Sequence, residues 1–410
     1  MIKHCKDNIH MSVTSFLYSL YFTANSIPVV FGEVDNMVTL FIIVLFFTLT
    51  VYNIRYMKCC HKSFYVIALL SVAFLFSFLV GNSNVVSKAI LSFACFGVPV
   101  MVAPFSQINF KKVIKFIAFQ GLLLVPFFIK YDYGFGGLGG DSYDDGILMT
   151  MSYRLLPFII AGFTVTFDST NNKYVRFLAL VPAVVCAVLL FIVGSRGAQL
   201  SVMIFLALFF ILKAPTLKSR IRRLIFVAIL GVIFIASFSF VIHSLFSFFD
   251  DHEISSLAIN RMENMLDSGH DLDTGRSTIQ RQAWKEFLSS PVFGNGIVSF
   301  NDFSGMYPHN IVIQLLGEGG IIFGILFFLL AYNVICILFS HSLNSEYAYI
   351  VLFITCAGVI KLFFSSTYIE SQFFWALVGI IVNRNAIERI KQFQSAPTVT
   401  NNSSIQTSLN

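Results

Sequence analysis

Three short stretches hold the residue types that could act on an anionic leaving group. Gly194-Ser195-Arg196-Gly197-Ala198 sets one guanidinium between two apolar runs whose connection has almost no other loop. Thr274-Gly275-Arg276 adds a second arginine, with Arg281 and Trp284 close behind. Pro308-His309-Asn310 opens a third stretch that ends Gly317-Glu318-Gly319-Gly320. A guanidinium is a rigid fork of donors that suits two phosphate oxygens. An imidazole titrates near neutrality and suits removal of a proton from a hydroxyl. The chemistry these groups could share is transfer to a hydroxyl with departure of a phosphate, the arginines stabilising the charge that develops.

The elements that must position them are membrane helices. Of 410 residues, 57% are hydrophobic, 12% are charged and 48 are Phe, with a mean hydropathy of +0.80. A soluble chain has about a quarter of its residues charged, so soluble, disordered and fibrous classes are excluded. A spanning helix needs ~20 apolar residues. Twelve windows meet that pattern, at 12–31, 37–54, 63–80, 85–105, 113–130, 147–167, 177–193, 198–212, 224–249, 317–339, 347–364 and 373–382. The fold class is therefore all-α, a polytopic integral membrane protein of about 12 transmembrane helices. Cys95, Cys186, Cys336 and Cys356 fall inside spans, and no outward loop holds a cysteine, so no disulfide framework is expected.

The net charge of +6 follows from loop asymmetry and gives no reason to expect nucleic acid. Most of the basic residues sit on one side: the N-terminus, Arg55–Lys62, Lys111–Lys115, Lys173–Arg176, Lys213–Arg223 and Arg384–Lys391. The other side is acidic, with Glu33, Asp35, Asp132, Asp141, Asp144, Asp145 and Glu370. The positive-inside rule puts both termini in the cytoplasm. Two outward loops are substantial, the Gly- and Asp-rich 131–146 and the long 250–308. Within the second, Ile279, Trp284, Phe287 and Leu288 are spaced for one apolar face of a helix over Arg276–Ser289.

Five ionisable residues lie in or beside spans: Lys88, Arg154, Arg196, Glu318 and Lys361. Such residues normally face a cavity or a partner, although long basic stems also snorkel to the headgroups. All five map to the outward half, four of them basic, which makes an anion-binding vestibule. Gly194 and Gly197 allow a sharp turn that sets Arg196 at its mouth. Gln199 shares a helical face with Arg196. Glu318, nine positions after His309, would lie on the opposite face of an unbroken helix, but Gly317, Gly319 and Gly320 permit a break.

The three motifs, with Pro291-Val292-Phe293-Gly294-Asn295-Gly296 between the last two, resemble the O-antigen ligase/polymerase superfamily. The resemblance covers roughly residues 175–340. It implies a metal-independent, inverting membrane glycosyltransferase at the periplasmic face of a bacterial inner membrane, using no cofactor. Its donor would be an oligosaccharide on undecaprenyl diphosphate, its acceptor another glycan. His309, Arg196 and Arg276 match the residues needed for activity, while Arg154, Gln199, Arg281, Asn310 and Glu318 are candidate substrate-binding groups. Residues 1–249 would hold spans one to nine, 250–308 a periplasmic loop with short helices, 309–382 the last three spans and 383–410 a cytoplasmic tail. A repeat-unit polymerase is the preferred reading and a ligase onto lipid A–core the alternative. A chain-length-determinant protein is a further partner of such polymerases.

Two other classes fit the sequence less well. A metal-dependent transferase could draw on His270, Asp271 and Asp273 or on Asp250-Asp251, but acidic pairs in outward loops are usually solvated, and no zinc pattern, nucleotide-binding loop or Gly-x-Ser-x-Gly elbow is present. A flippase for lipid-linked oligosaccharide would also use a basic vestibule, but should have functional charges reachable from both sides and little need for a long outward loop.

Overall fold

The computed structural model describes residues 2–30, 61–81, 83–103, 105–132, 145–193, 196–251, 276–300, 307–340 and 346–388, with four positions between 41 and 48. Thirteen α-helices and no strand occur among them. They are α1 (Ile2–Thr23), α2 (His61–Val80), α3 (Ser83–Ser92), α4 (Val98–Met101), α5 (Phe110–Asp132), α6 (Asp145–Phe167), α7 (Lys173–Val193), α8 (Arg196–Leu212), α9 (Leu217–Asp251), α10 (Arg276–Ser289), α11 (Ile311–Ser340), α12 (Glu346–Ile354) and α13 (Gln372–Val382). Six described segments are long and apolar enough to cross a membrane, and three shorter apolar helices accompany them. The chain is a polytopic helical membrane protein. Apart from the four positions between 41 and 48, the window at 37–54 falls outside the described residues, as do Gly194-Ser195, loop 133–144 and His270–Asp273.

Helices α5, α6 and α7 pack side by side at the centre, with α1 against α5. Helices that meet in lipid gain nothing from excluding water and so rely on close backbone approach at small residues. The α6–α7 crossing is built that way: a Cβ on Gly162 would stand 2.6 Å from both the Ala179 carbonyl and the Ala183 methyl. Two apolar windows are interrupted by π-helical turns. A π-helical turn at Phe93–Gly97 joins α3 to α4, and another at Thr355–Val359 leads from α12 into a 3₁₀ turn, Ile360–Phe363.

The contacts sort the loops onto two ends. Lys112 Nζ donates to Ser12 Oγ at 2.7 Å, Lys111 Nζ lies 3.6 Å from Asp168, and Lys213 Nζ donates to the Phe167 carbonyl at 3.2 Å. Asn383 Nδ2 donates to Ser63 Oγ at 2.6 Å on the same side. The basic loops therefore gather at one end of the bundle. Burial would raise the Asp168 carboxyl, but hydrogen bonds from Thr170 and the Lys111 charge outweigh it and hold the group below the ordinary carboxylate range.

Candidate functional site

At the opposite end, α11 starts where Asn310 caps it. Asn310 Oδ1 accepts from the amides of Val312 and Ile313 at 3.0 and 3.3 Å, satisfying two donors that have no intrahelical partner. His309, just before the cap, has a φ of 54°, a conformation in which His is enriched among non-glycine residues. Its ring packs on that of Tyr307, centroids 4.4 Å apart. The Tyr307 hydroxyl accepts from the amide of Ser366 at 3.0 Å, and Ser366 also has positive φ, 72°. Two strained residues on touching loops mark this point of the fold.

Residues 364–371 are the loop that joins the pieces. At Phe364 the loop abuts α8: a Cβ on Gly197 would collide with the Tyr153 hydroxyl and stand 2.8 Å from Phe364 Cβ. The glycine after Arg196 thus serves close packing inside α8, where the sequence suggested a turn. Tyr153 precedes Arg154, whose carbonyl accepts from Ser26 Oγ at 3.1 Å. Arg196 is exposed at the first position of α8 and Arg154 is half-buried. One end of the bundle therefore carries Arg154, Arg196 and His309 on segments that touch each other.

Glu318 is buried one helical turn beyond Gln314. Gln314 Nε2 donates to one carboxylate oxygen at 3.0 Å and to Thr367 Oγ1 at 3.0 Å, and the Tyr368 hydroxyl donates to the other oxygen at 2.7 Å. Burial, the Glu318 charge and this bond keep the Tyr368 phenol well above its ordinary range, so it stays a donor. Glu318 therefore ties α11 to the loop that holds Tyr307. The i, i+4 spacing of Gln314 and Glu318 in an apolar run was the available signal; Tyr307, Thr367 and Tyr368 had none in the sequence. Glu318→Ala should cost about 1–3 kcal/mol for the buried Tyr368 hydroxyl it strands, and Glu318→Gln less. Thermal midpoints of the purified variants check this, and an unchanged midpoint for alanine would refute the tie.

Helix α11 breaks at Gly320, with φ 62° and ψ −158°. The Pro291–Gly296 turn fills the break. The amides of Asn295 and Gly296 donate to the Gly317 and Glu318 carbonyls at 3.0 and 2.9 Å, and the Ile321 amide donates to the Pro291 carbonyl at 2.8 Å. The motif between the second and third stretches thus satisfies backbone groups that the broken helix exposes.

Gln199 Nε2 donates to the Phe191 carbonyl at 3.4 Å, at the end of α7. Arg281 is exposed on α10 and donates to Ser277 Oγ at 3.0 Å. Arg276 is the first residue of α10, and its side chain lies outside the described residues. Lys88 is exposed on α3, and Lys361 ends beside Glu370.

A polytopic helical membrane protein with arginines and a histidine gathered at one end, opposite its basic loops, is the class that fold and site define. Residues 181–329 match the family model described as O-antigen ligase. The match supports a likeness of this region to the O-antigen ligase/polymerase superfamily, whose members are glycosyltransferase-like enzymes acting on lipid-linked glycans. It includes Arg196, Arg276, His309 and Glu318 and leaves Arg154 outside. No curated protein matches the chain significantly.

Proposed function

We propose that the chain polymerises undecaprenyl-diphosphate-linked oligosaccharide repeat units into O-antigen or a related surface polysaccharide. Transfer occurs at the periplasmic face, without a metal and with inversion at the sugar. What supports this reading is that Arg154, Arg196 and His309 lie on segments that touch at the end of the bundle away from the basic loops, which the positive-inside rule assigns to the cytoplasm. His309 takes the proton of the acceptor hydroxyl as its oxygen bonds to the anomeric carbon. The bond from that carbon to the diphosphate oxygen breaks, and undecaprenyl diphosphate leaves with the electron pair. Arg196 and Arg276 meet the developing charge, and a preorganised donor of this kind contributes ~3–4 kcal/mol.

The description of the matching family model favours a second reading, a ligase that transfers the glycan to lipid A–core. A surface-polysaccharide gel of a deletion strain separates the two. Core bearing a single repeat unit means polymerase; bare core, with polymer held on the carrier lipid, means ligase; an unchanged ladder rejects both.

Arg196→Lys tests the phosphate contact. Lysine keeps the charge but loses the planar fork. Complementation with this variant should leave the ladder largely unrestored, and full restoration would remove bidentate contact from the mechanism.

A further inference from the structure

Helix α10 has more apolar surface than its packing covers. Ala283 is its buried position, and the carbonyl of Glu286 accepts from Asn295 Nδ2 at 2.8 Å on the side toward α11. The sequence placed Trp284 and Leu288 with that buried face; instead both are exposed, at 46% and 59%. With Arg281 and Lys285 they make an i, i+3, i+4, i+7 stripe, all of it exposed. The following turn adds Val292 and Phe293, 51% and 70% exposed. No described residue lies over this patch.

The patch is continuous with a lipid-facing surface. Through the Ile321–Pro291 hydrogen bond, the turn abuts the apolar part of α11, where Ile321, Ile322 and Ile325 are exposed along a candidate span. Its chemistry is also that of a membrane interface. Tryptophan and large aliphatic groups sit at the headgroup–acyl boundary, while basic stems alongside them reach phosphates. The stripe carries two basic residues and no acid; Glu286, the only acid of α10, is half-buried away from it.

We propose that α10 lies in the headgroup layer of the leaflet at the His309 end of the bundle, and that membrane lipid is what covers its exposed face. Trp284, Leu288, Val292 and Phe293 enter the upper acyl region, and Arg281 and Lys285 face lipid phosphates. Anchored in this way, the helix sets the height of the Pro291–Gly296 turn, and with it the break in α11. The inference stands on exposure and continuity and does not depend on which glycan is transferred.

The chain has two tryptophans, and Trp375 is buried. In Trp375→Phe, Trp284 is the sole reporter. The full chain in phosphatidylethanolamine–phosphatidylglycerol vesicles is titrated with a lipid carrying a spin label near its headgroup, and separately with aqueous iodide. The spin-labelled lipid should quench Trp284 several-fold more strongly than iodide does. Leu288→Asp with Phe293→Asp should shift its emission to the red and abolish that preference. Iodide quenching with the lipid silent would overturn the proposal in favour of a solvated helix. Protection from both quenchers would overturn it in favour of a protein partner or a second copy. Should Trp375→Phe fail to assemble, the difference between the parent chain and Trp284→Phe gives the same readout.

Discussion

Replacing His309 with alanine is expected to lower glycan transfer by about 10²–10⁴-fold, the contribution of a positioned general base. The helix it precedes should persist, because the cap belongs to Asn310 and His309 is only half-buried. Alanine alone is an ambiguous probe, since position 309 has positive φ and alanine is strained there. Asparagine tolerates that conformation but cannot take the proton. Both variants should therefore reach the membrane in parental amounts and fail to extend a labelled lipid-linked acceptor in vesicles. Parental turnover in His309→Asn would remove the histidine from the chemistry, whatever alanine does.

Gly320→Ala is expected to have the largest effect on the fold. The backbone there adopts a conformation essentially restricted to glycine, which costs ~1–3 kcal/mol for any other residue. The added methyl would also collide with the Val292 carbonyl and stand 2.8 Å from the Gly294 amide. Both obstacles are backbone, so no rotamer change relieves them. The turn must leave the break, and the Gly317 and Glu318 carbonyls lose their donors. The thermal midpoint in detergent should fall steeply. Gly231→Ala, where nothing lies within 4 Å of the new methyl, should leave it unchanged or raised, by up to ~1 kcal/mol of helix propensity. Equal midpoints for the two variants would contradict the account of the joint.

Hydropathy located the helices because lipid imposes a length of apolar sequence. The windows at 113–130, 177–193 and 198–212 fall within α5, α7 and α8. It misplaced ends where protein replaces lipid. Helix α1 begins ten residues before its apolar window. Helix α11 begins six before, at Ile311, where Gln314 is buried in polar contact with Glu318. The motifs marked Arg196, His309 and the glycine break, since charge, capping and glycine carry local signals. The loop that gathers them, 364–371, carried none. Its part rests on backbone positions and on Tyr307, Thr367 and Tyr368, whose partners lie about fifty or more residues away. Even the agreement on α10 was partial: its period gave the helix, but which side would be covered depended on where Gly317 stands, a Cβ on which would lie 3.8 Å from the Ala283 carbonyl.

Helices α8 and α11 both begin at the end where Arg196 and His309 stand, so their aligned peptide dipoles present positive ends there, each equivalent to roughly half a charge. On the proposed function, the pull on a diphosphate thus has a part fixed in the backbone. That part does not titrate, and replacing an arginine does not remove it. Arginine variants of this site should accordingly lose turnover, as the developing charge loses its preorganised donors, while still drawing the anionic donor to the mouth of the bundle.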